Sequence, residues 1–267
     1  MTTPWPALEA LPPSPNSMED EGCEQVLIKP YVHDDGQSKS LHFTMGELQS
    51  RMSLRNPGQL EVDYTRTMMG FLLLHPAPAS MAMIGLGGGS LAKFCYHQLA
   101  DCQITVIEIN PHVIALRREF QVPDDDARFH VVEADGAAFL AINAVRFDVL
   151  LVDGFDHQGQ PAALCSQQFY DDCFTALTPT GVLVVNLHHD AKDFSIWVER
   201  IQRSFGGNAA EVLSLEKSNC IVLASRGPAI SPRQMNLAAS LSKLDPSARG
   251  QLKAEFARMV WCMKDLS

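Results

Sequence analysis

Along the middle of the chain, short β-branched apolar runs alternate with stretches of helical spacing, which predicts a mostly parallel sheet with helices on both faces. The expected strands are 81–85, 104–108, 129–133, 147–152 and 181–187. Helices are expected near 90–100, 111–120, 135–143 and 166–177, with Ser166 as N-cap of the last. Ahead of them, 25–33, 39–43 and 47–52 alternate apolar and polar positions around the turn Asp34, Asp35, Gly36, Gln37, the mark of a small antiparallel sheet. Residues 62–75 are apolar enough for a helix that ends at Pro76. Near the end of the chain, 211–215 and 220–224, split by Lys217, Ser218 and Asn219, read as a closing antiparallel pair. Segments 231–241 and 246–264 read as helices. Residues 1–22 are rich in proline and acids without periodicity and are expected to form a poorly ordered lead-in. The fold class expected is therefore α/β, a doubly wound, mostly parallel, seven-stranded Rossmann-like sheet with a small N-terminal antiparallel β-domain. Its division is 1–22 lead-in, 23–60 β-domain and 61–267 Rossmann-like domain.

One junction in this pattern carries chemistry. The apolar run from Met81 breaks into glycine at 85, 87, 88 and 89 and resumes as a helix. Glycines there let the backbone take positive φ and let a ligand approach the main chain, while the next helix N-terminus offers unpaired N–H groups. In the dinucleotide fingerprint G-x-G-x-x-G the last glycine would fall at position 90, where this chain has Ser90. That difference favours an S-adenosyl ligand over a dinucleotide, as in class I methyltransferase-like folds. Glu108 closes the next strand at the distance where an acid accepts the ribose hydroxyls. In a doubly wound sheet, ligands sit outside the carboxyl ends of the strands. The third such end carries Asp135 and Gly136, the fourth Asp153 and Asp156. Asp135 is placed either to accept from the adenine amino group or to cap the following helix. Asp153 and Asp156 are the catalytic candidates, since a carboxylate at the sheet edge can orient an attacking amine and remove its proton.

Composition narrows the partners. The chain has 267 residues and a formal charge of -10, which argues against binding a phosphate backbone and mildly suits a cationic substrate. Seven cysteines, none in C-x-x-C spacing, make a metal or disulfide framework unexpected. Cys220, within an apolar run, reads as a buried small hydrophobe. Neither a basic, apolar leader nor an apolar run of about 18 residues is visible, so a cytoplasmic protein without a membrane or nucleic-acid partner is expected. His188, His189 and Asp190 look like a metal trio only superficially, because neighbouring side chains after a strand point apart. Met68 and Met69 with 71–74 read as core or subunit interface, and Arg117 and Arg118 as a solvated helix face.

Taken in order, the glycines 87–89, the run 106–109, Glu133 to Gly136, the run 147–153 with Asp156, Phe169 with Tyr170, and 181–183 resemble the signature of the spermidine synthase (polyamine aminopropyltransferase) family. The His75-to-Pro78 entry and the small leading β-domain resemble it too, and the likeness covers roughly 40–225. The resemblance implies decarboxylated S-adenosylmethionine as co-substrate, a putrescine-like amine acceptor, no metal, and a homodimer. It would give Glu108 the ribose, Asp135 the adenine side, Asp153 the role of orienting acid and base, and Asp156 a place in the substrate loop. Gln49 and Tyr64 would line the active site. The sequence departs from that pattern at Ser90, where the family has an aspartate that contacts the aminopropyl ammonium. It departs also at Arg66, where an acid is expected, at the loop 153–157, and at Asn110. Those departures keep two other readings open: methyl transfer from S-adenosylmethionine on the same fold, and a non-catalytic nucleoside-binding or interaction protein.

Overall fold

The computed structural model describes residues 27–44, 48–142, 144–156, 158–233 and 235–264; the expected lead-in 1–22 and the first residues of the 25–33 and 47–52 runs lie outside them. Two sheets carry the chain. β1 (Tyr31–Asp34), β2 (Ser38–His42) and β3 (Leu48–Ser53) form an antiparallel sheet in that order. Its first turn is locked by Asp35, whose Oδ1 accepts the N–H groups of Gln37 and Ser38 at 2.9 and 2.6 Å. Those donors favour the ionised form and hold the Asp35 carboxyl down at about 2.

The larger sheet contains β4 (Ser80–Ile84), β5 (Gln103–Glu108), β6 (Phe129–Glu133), β7 (Phe147–Val152), β8 (Leu177–His188), β9 (Ala209–Leu213) and β10 (Asn219–Ser225). They lie in the order β6-β5-β4-β7-β8-β10-β9, with β10 antiparallel to both neighbours. This is the doubly wound, mostly parallel seven-stranded sheet that the alternation predicts. Strand side chains alternate faces, and each face has its own core. Met81, Met83, Val149, Leu151, Val184 and Leu223 pack on one side, against α1 (Asp63–Met68), α2 (Ser90–Gln98) and the long helix Pro246–Lys264 among others. Ala82, Ile84, Leu150, Val152, Leu183 and Val185 pack on the other, against the helices Gly136–Ile142, Gln167–Ala176 and Phe194–Ser204.

Several boundaries differ from expectation. The helix at Pro111 ends at Ala115, because the chain then enters a turn in which Gln121 takes φ +55°. Arg117 is drawn into that turn by the Pro123 carbonyl and Asp125, so only Arg118 is the solvated residue expected of both. β8 begins at Leu177, four residues early, since Leu177 pairs with Phe147. The helix Phe194–Ser204 was not foreseen, and the one expected from 231 starts at Leu237, capped by Asn236. The 62–75 helix is short and continues as a 3-10 turn over Met69–Leu73. Met68, Met69 and Phe71 are completely buried in the monomer, so they are core and not a subunit interface. Cys220 is buried as expected, and no helix among the described residues is long and apolar enough to cross a membrane.

Candidate active site

In the larger sheet the chain runs outward from β4 to β6 and then returns to the other side of β4 as β7. The strand order therefore reverses between β4 and β7, the place where such sheets hold ligands. A cavity of about 700 Å³ opens there. Its floor is the glycine turn after β4, its far wall the ends of β5 and β6, and its near wall the loop after β7. β3 and α1 close the top.

Backbone geometry requires the glycine turn. Gly85 has φ +96°, and a Cβ there would stand 2.2 Å from the Asp153 carbonyl oxygen, so the turn lies directly on the loop after β7. The Asp153 N–H donates to the Ile84 carbonyl at 2.9 Å, joining the two strand ends. Gly85, Gly87 and Gly88 line the cavity, but Gly89, expected to bind ligand, does not. At φ +67° it is the N-cap of α2, and a Cβ would meet Val122 at 2.3 Å, so it serves the turn itself.

Glu108 is buried at the end of β5. Its Oε2 accepts the Leu86 N–H at 2.9 Å and its Oε1 the Asn110 N–H at 2.8 Å, which fixes the carboxylate at the edge of the glycine turn. Burial raises its pKa, while backbone donors from Leu86, Asn110, Gly87 and Ile109 work the other way. The Asn110 side chain takes up the Ile28 carbonyl at 2.9 Å, so the segment ahead of β1 crosses this wall with Leu27 and Ile28 facing the cavity. Asp135 and Gly136 also line it. The Asp135 Oδ1 accepts the Ala138 N–H at 2.7 Å, so the residue caps its helix and faces the cavity at once.

Asp153 stands at the opposite side, partly accessible through the cavity. Tyr64 on α1 donates its hydroxyl to Oδ2 at 3.1 Å, and Asn186 on β8 donates its amide to Oδ1 at 2.8 Å. Burial raises the Asp153 carboxyl, and the Asn186 and Tyr64 bonds together with nearby His188 oppose that rise. The Tyr64 phenol is pushed far upward by burial and by Asp153, and it stays a donor. Asp156 lines the cavity in the same loop, its Oδ1 held by the Gln158 N–H at 2.6 Å. Phe155 faces the cavity and stacks on His188 at 4.5 Å, whereas His189 meets Phe194, so the adjacent histidines point apart.

Gln49 and Ser90 both line the cavity. The Ser90 hydroxyl lies 3.3 Å from that of Ser50 on β3, so the position holds a neutral pair bridging the small sheet and α2. Arg66, which stands where the resemblance calls for an acid, donates to the Leu60 carbonyl at 2.6 Å and is not on the wall. Ser50 and Asn186 belong to the site without having been expected there. A lone asparagine in the apolar strand Leu177–His188 was the signal for the second; the first had none.

A glycine turn, a buried strand-end glutamate and a half-buried aspartate held by two donors thus border one cavity. The chain matches the model of the "Spermine/spermidine synthase domain" over residues 61–205. It is 36% identical over 231 residues to the polyamine aminopropyltransferase of Chromobacterium violaceum, covering 86% of this chain and 87% of that one. The chain belongs to the spermine/spermidine synthase family. Solved structures extend the likeness in fold. A probable spermidine synthase from Corynebacterium glutamicum superposes with TM-score 0.67 at 18% identity, over 83% of this chain and 89% of that one. Human methyltransferase-like protein 13, in complex with SAH, superposes with TM-score 0.58 at 21% identity, over 75% and 93%. The synthase-family sheet is thus also a methyltransferase-like sheet, and which group this chain transfers has to be argued from its residues.

Proposed function

We propose that this chain is a polyamine aminopropyltransferase, moving the aminopropyl group of decarboxylated S-adenosylmethionine to a putrescine-like diamine. The observation that carries the proposal is Asp153, held by Tyr64 and Asn186 at the cavity edge opposite Glu108 and the glycine turn. Glu108 would accept the ribose hydroxyls beside its backbone donors, and Asp135 would face the adenine. Gln49, Gly85, Gly87, Gly88 and Gly136 would shape the donor's seat. The acceptor amine would lie against Asp153 and Tyr64, with Asp156 near its approach.

Chemically little is needed beyond position. The amine nitrogen attacks the propyl carbon next to the sulfonium, the C–S bond breaks, and its electron pair stays on sulfur to give methylthioadenosine. Asp153 orients the amine and takes the proton it releases. A carboxylate raised by burial suits that work, because it holds the accepted proton better than an exposed aspartate does. We also propose that the chain works without a metal and as a homodimer, the latter open to light scattering at assay concentration.

The Ser50–Ser90 pair supports a second reading. A neutral pair does not favour the donor's ammonium, and removal of a charge-assisted contact costs about 1.5–3 kcal/mol. A donor bearing a carboxylate, S-adenosylmethionine itself, is then less strongly rejected, which would permit methyl transfer. Competition titration with the two donors distinguishes them. Preference for the decarboxylated donor upholds aminopropyl transfer; preference for the carboxylated one replaces it with methyl transfer.

A further inference from the structure

Asn186 and Asn219 stand behind Asp153, outside the cavity. The Ser218 hydroxyl donates to Asn219 Oδ1 at 2.9 Å, the Asn219 amide donates to Asn186 Oδ1 at 2.9 Å, and the Asn186 amide donates to Asp153 Oδ1 at 2.8 Å. Both asparagines are buried, and neither lines the cavity. An ionised carboxylate only accepts, so the Asn186 amide must turn its NH2 to Asp153 and its oxygen to Asn219. Asn219 must then turn its own NH2 to Asn186 and its oxygen to Ser218. Every donor in the chain points toward Asp153. Side-chain networks of this kind polarise one another, and here the polarisation favours negative charge at the far end.

Two strands fix the arrangement. Asn186 belongs to β8 and Asn219 opens β10; in the ladder between them Asn186 pairs with Ile221 and Asn219 with His188, so the two amides are diagonal neighbours, two residues offset, on one face. The Gln160 side chain, from the loop after β7, donates to the Asn186 main-chain carbonyl at 2.8 Å, joining that loop to the same strand.

We propose that Asn219 is a positioning residue for transfer, acting through Asn186 to hold Asp153 ionised and aimed at the acceptor. The proposal rests on the reading of Asp153 as the acid that receives the amine's proton. It accounts for two buried amides at the reacting end of the sheet that touch no substrate space. Among the described residues, Tyr64 from α1 and His188 from the end of β8 are the titratable groups that act on Asp153, and Asp156 shares its loop. Asn219 works beside them as an uncharged third influence.

The test is Asn219→Ala in the full-length protein, read in two ways. Steady-state kinetics with decarboxylated S-adenosylmethionine and putrescine should show kcat about 5- to 10-fold lower, the equivalent of one net hydrogen bond. The donor KM should stay within about twofold, and the acid limb of the kcat profile should move to higher pH. Independently of turnover, the Asp153 side-chain carboxyl should titrate at higher pH in the ¹³C spectrum of labelled variant than in wild type. Should Asn219→Ala fail to fold, Ser218→Ala at the exposed end of the chain should move the same resonance by a smaller step in the same direction. An unmoved Asp153 titration in a folded variant overturns the proposal. If wild type transfers nothing to any amine, the functional reading fails, and the carboxyl titration still decides whether the amide chain governs Asp153.

Discussion

Substituting Asp153 by asparagine tests the catalytic assignment with little disturbance to the fold. The carboxylate accepts from two donors, Tyr64 at 3.1 Å and Asn186 at 2.8 Å. An amide at 153 still accepts from Asn186 through its oxygen, and its NH2 meets Tyr64, whose hydroxyl can rotate to accept. No buried polar atom is stranded, so the variant should fold. Proton removal is lost, and a positioned base contributes about 10²–10⁴ in rate. We expect kcat to fall within that range, with donor affinity, measured calorimetrically, unchanged within about threefold.

Stability should move the other way. Because the Asp153 pKa is raised in the folded state, folded protein binds more protons than unfolded between the ordinary value of 3.8 and the raised one. Stability therefore falls as pH rises through that window, by at most about 1.4 kcal/mol per pH unit, and above it the full cost remains. Asparagine removes this cost, so at pH 7.5 the variant's Tm should equal or exceed wild type, with each kcal/mol worth about 2–4 °C at this chain length. Activity lost with Tm retained is the expected result. Turnover within twofold of wild type would refute the assignment, and a loss of activity that tracks a loss of Tm would refute the reasoning from hydrogen bonds.

Other positions give separate tests. Glu108→Gln sets an NH2 against a backbone N–H that now meets a carboxylate, and donor affinity should fall about 10- to 100-fold by calorimetry while acceptor binding holds. Gly85→Ala puts a methyl 2.2 Å from the Asp153 carbonyl oxygen at φ +96°; chemical denaturation should show a loss of about 2–4 kcal/mol, and a loss below about 0.5 would contradict the strain argument. Lys93 is buried against the Phe120 carbonyl at 2.7 Å, and burial pushes its ammonium down to about 8 from 10.5. Between those values the unfolded chain binds more protons, so wild-type stability should rise with pH from 8 to 10 relative to Lys93→Met, by at most about 1.4 kcal/mol per pH unit in chemical denaturation.

How far the sequence disclosed this site depends on whether each residue's role is local. The glycine turn, Glu108 and Asp153 stand at strand ends, so periodicity alone places them at one edge, and the switch between β4 and β7 brings them together. Gly89 looked like a ligand residue because turn formers and ligand contacts share one composition; only its contact with Val122 separates the roles. Arg66 looked like a pocket residue from its neighbour Tyr64, but the short helix turns it toward Leu60. Ser50 and Asn219 reach the site through partners 40 and 33 residues away, Ser90 and Asn186, and no local pattern encodes such pairings. The Phe194–Ser204 helix carried a legible signal that the strand-by-strand reading passed over, since Phe194, Trp197, Val198, Ile201 and Phe205 recur at helical spacing on its core side.

The central claim, aminopropyl transfer with Asp153 as the accepting base, is tested most directly by identifying the nucleoside product. Purified protein incubated with decarboxylated S-adenosylmethionine and putrescine should release methylthioadenosine in step with a lengthened polyamine, and Asp153→Asn should release neither above background. Absence of methylthioadenosine, with S-adenosylhomocysteine formed when S-adenosylmethionine is supplied instead, would contradict it.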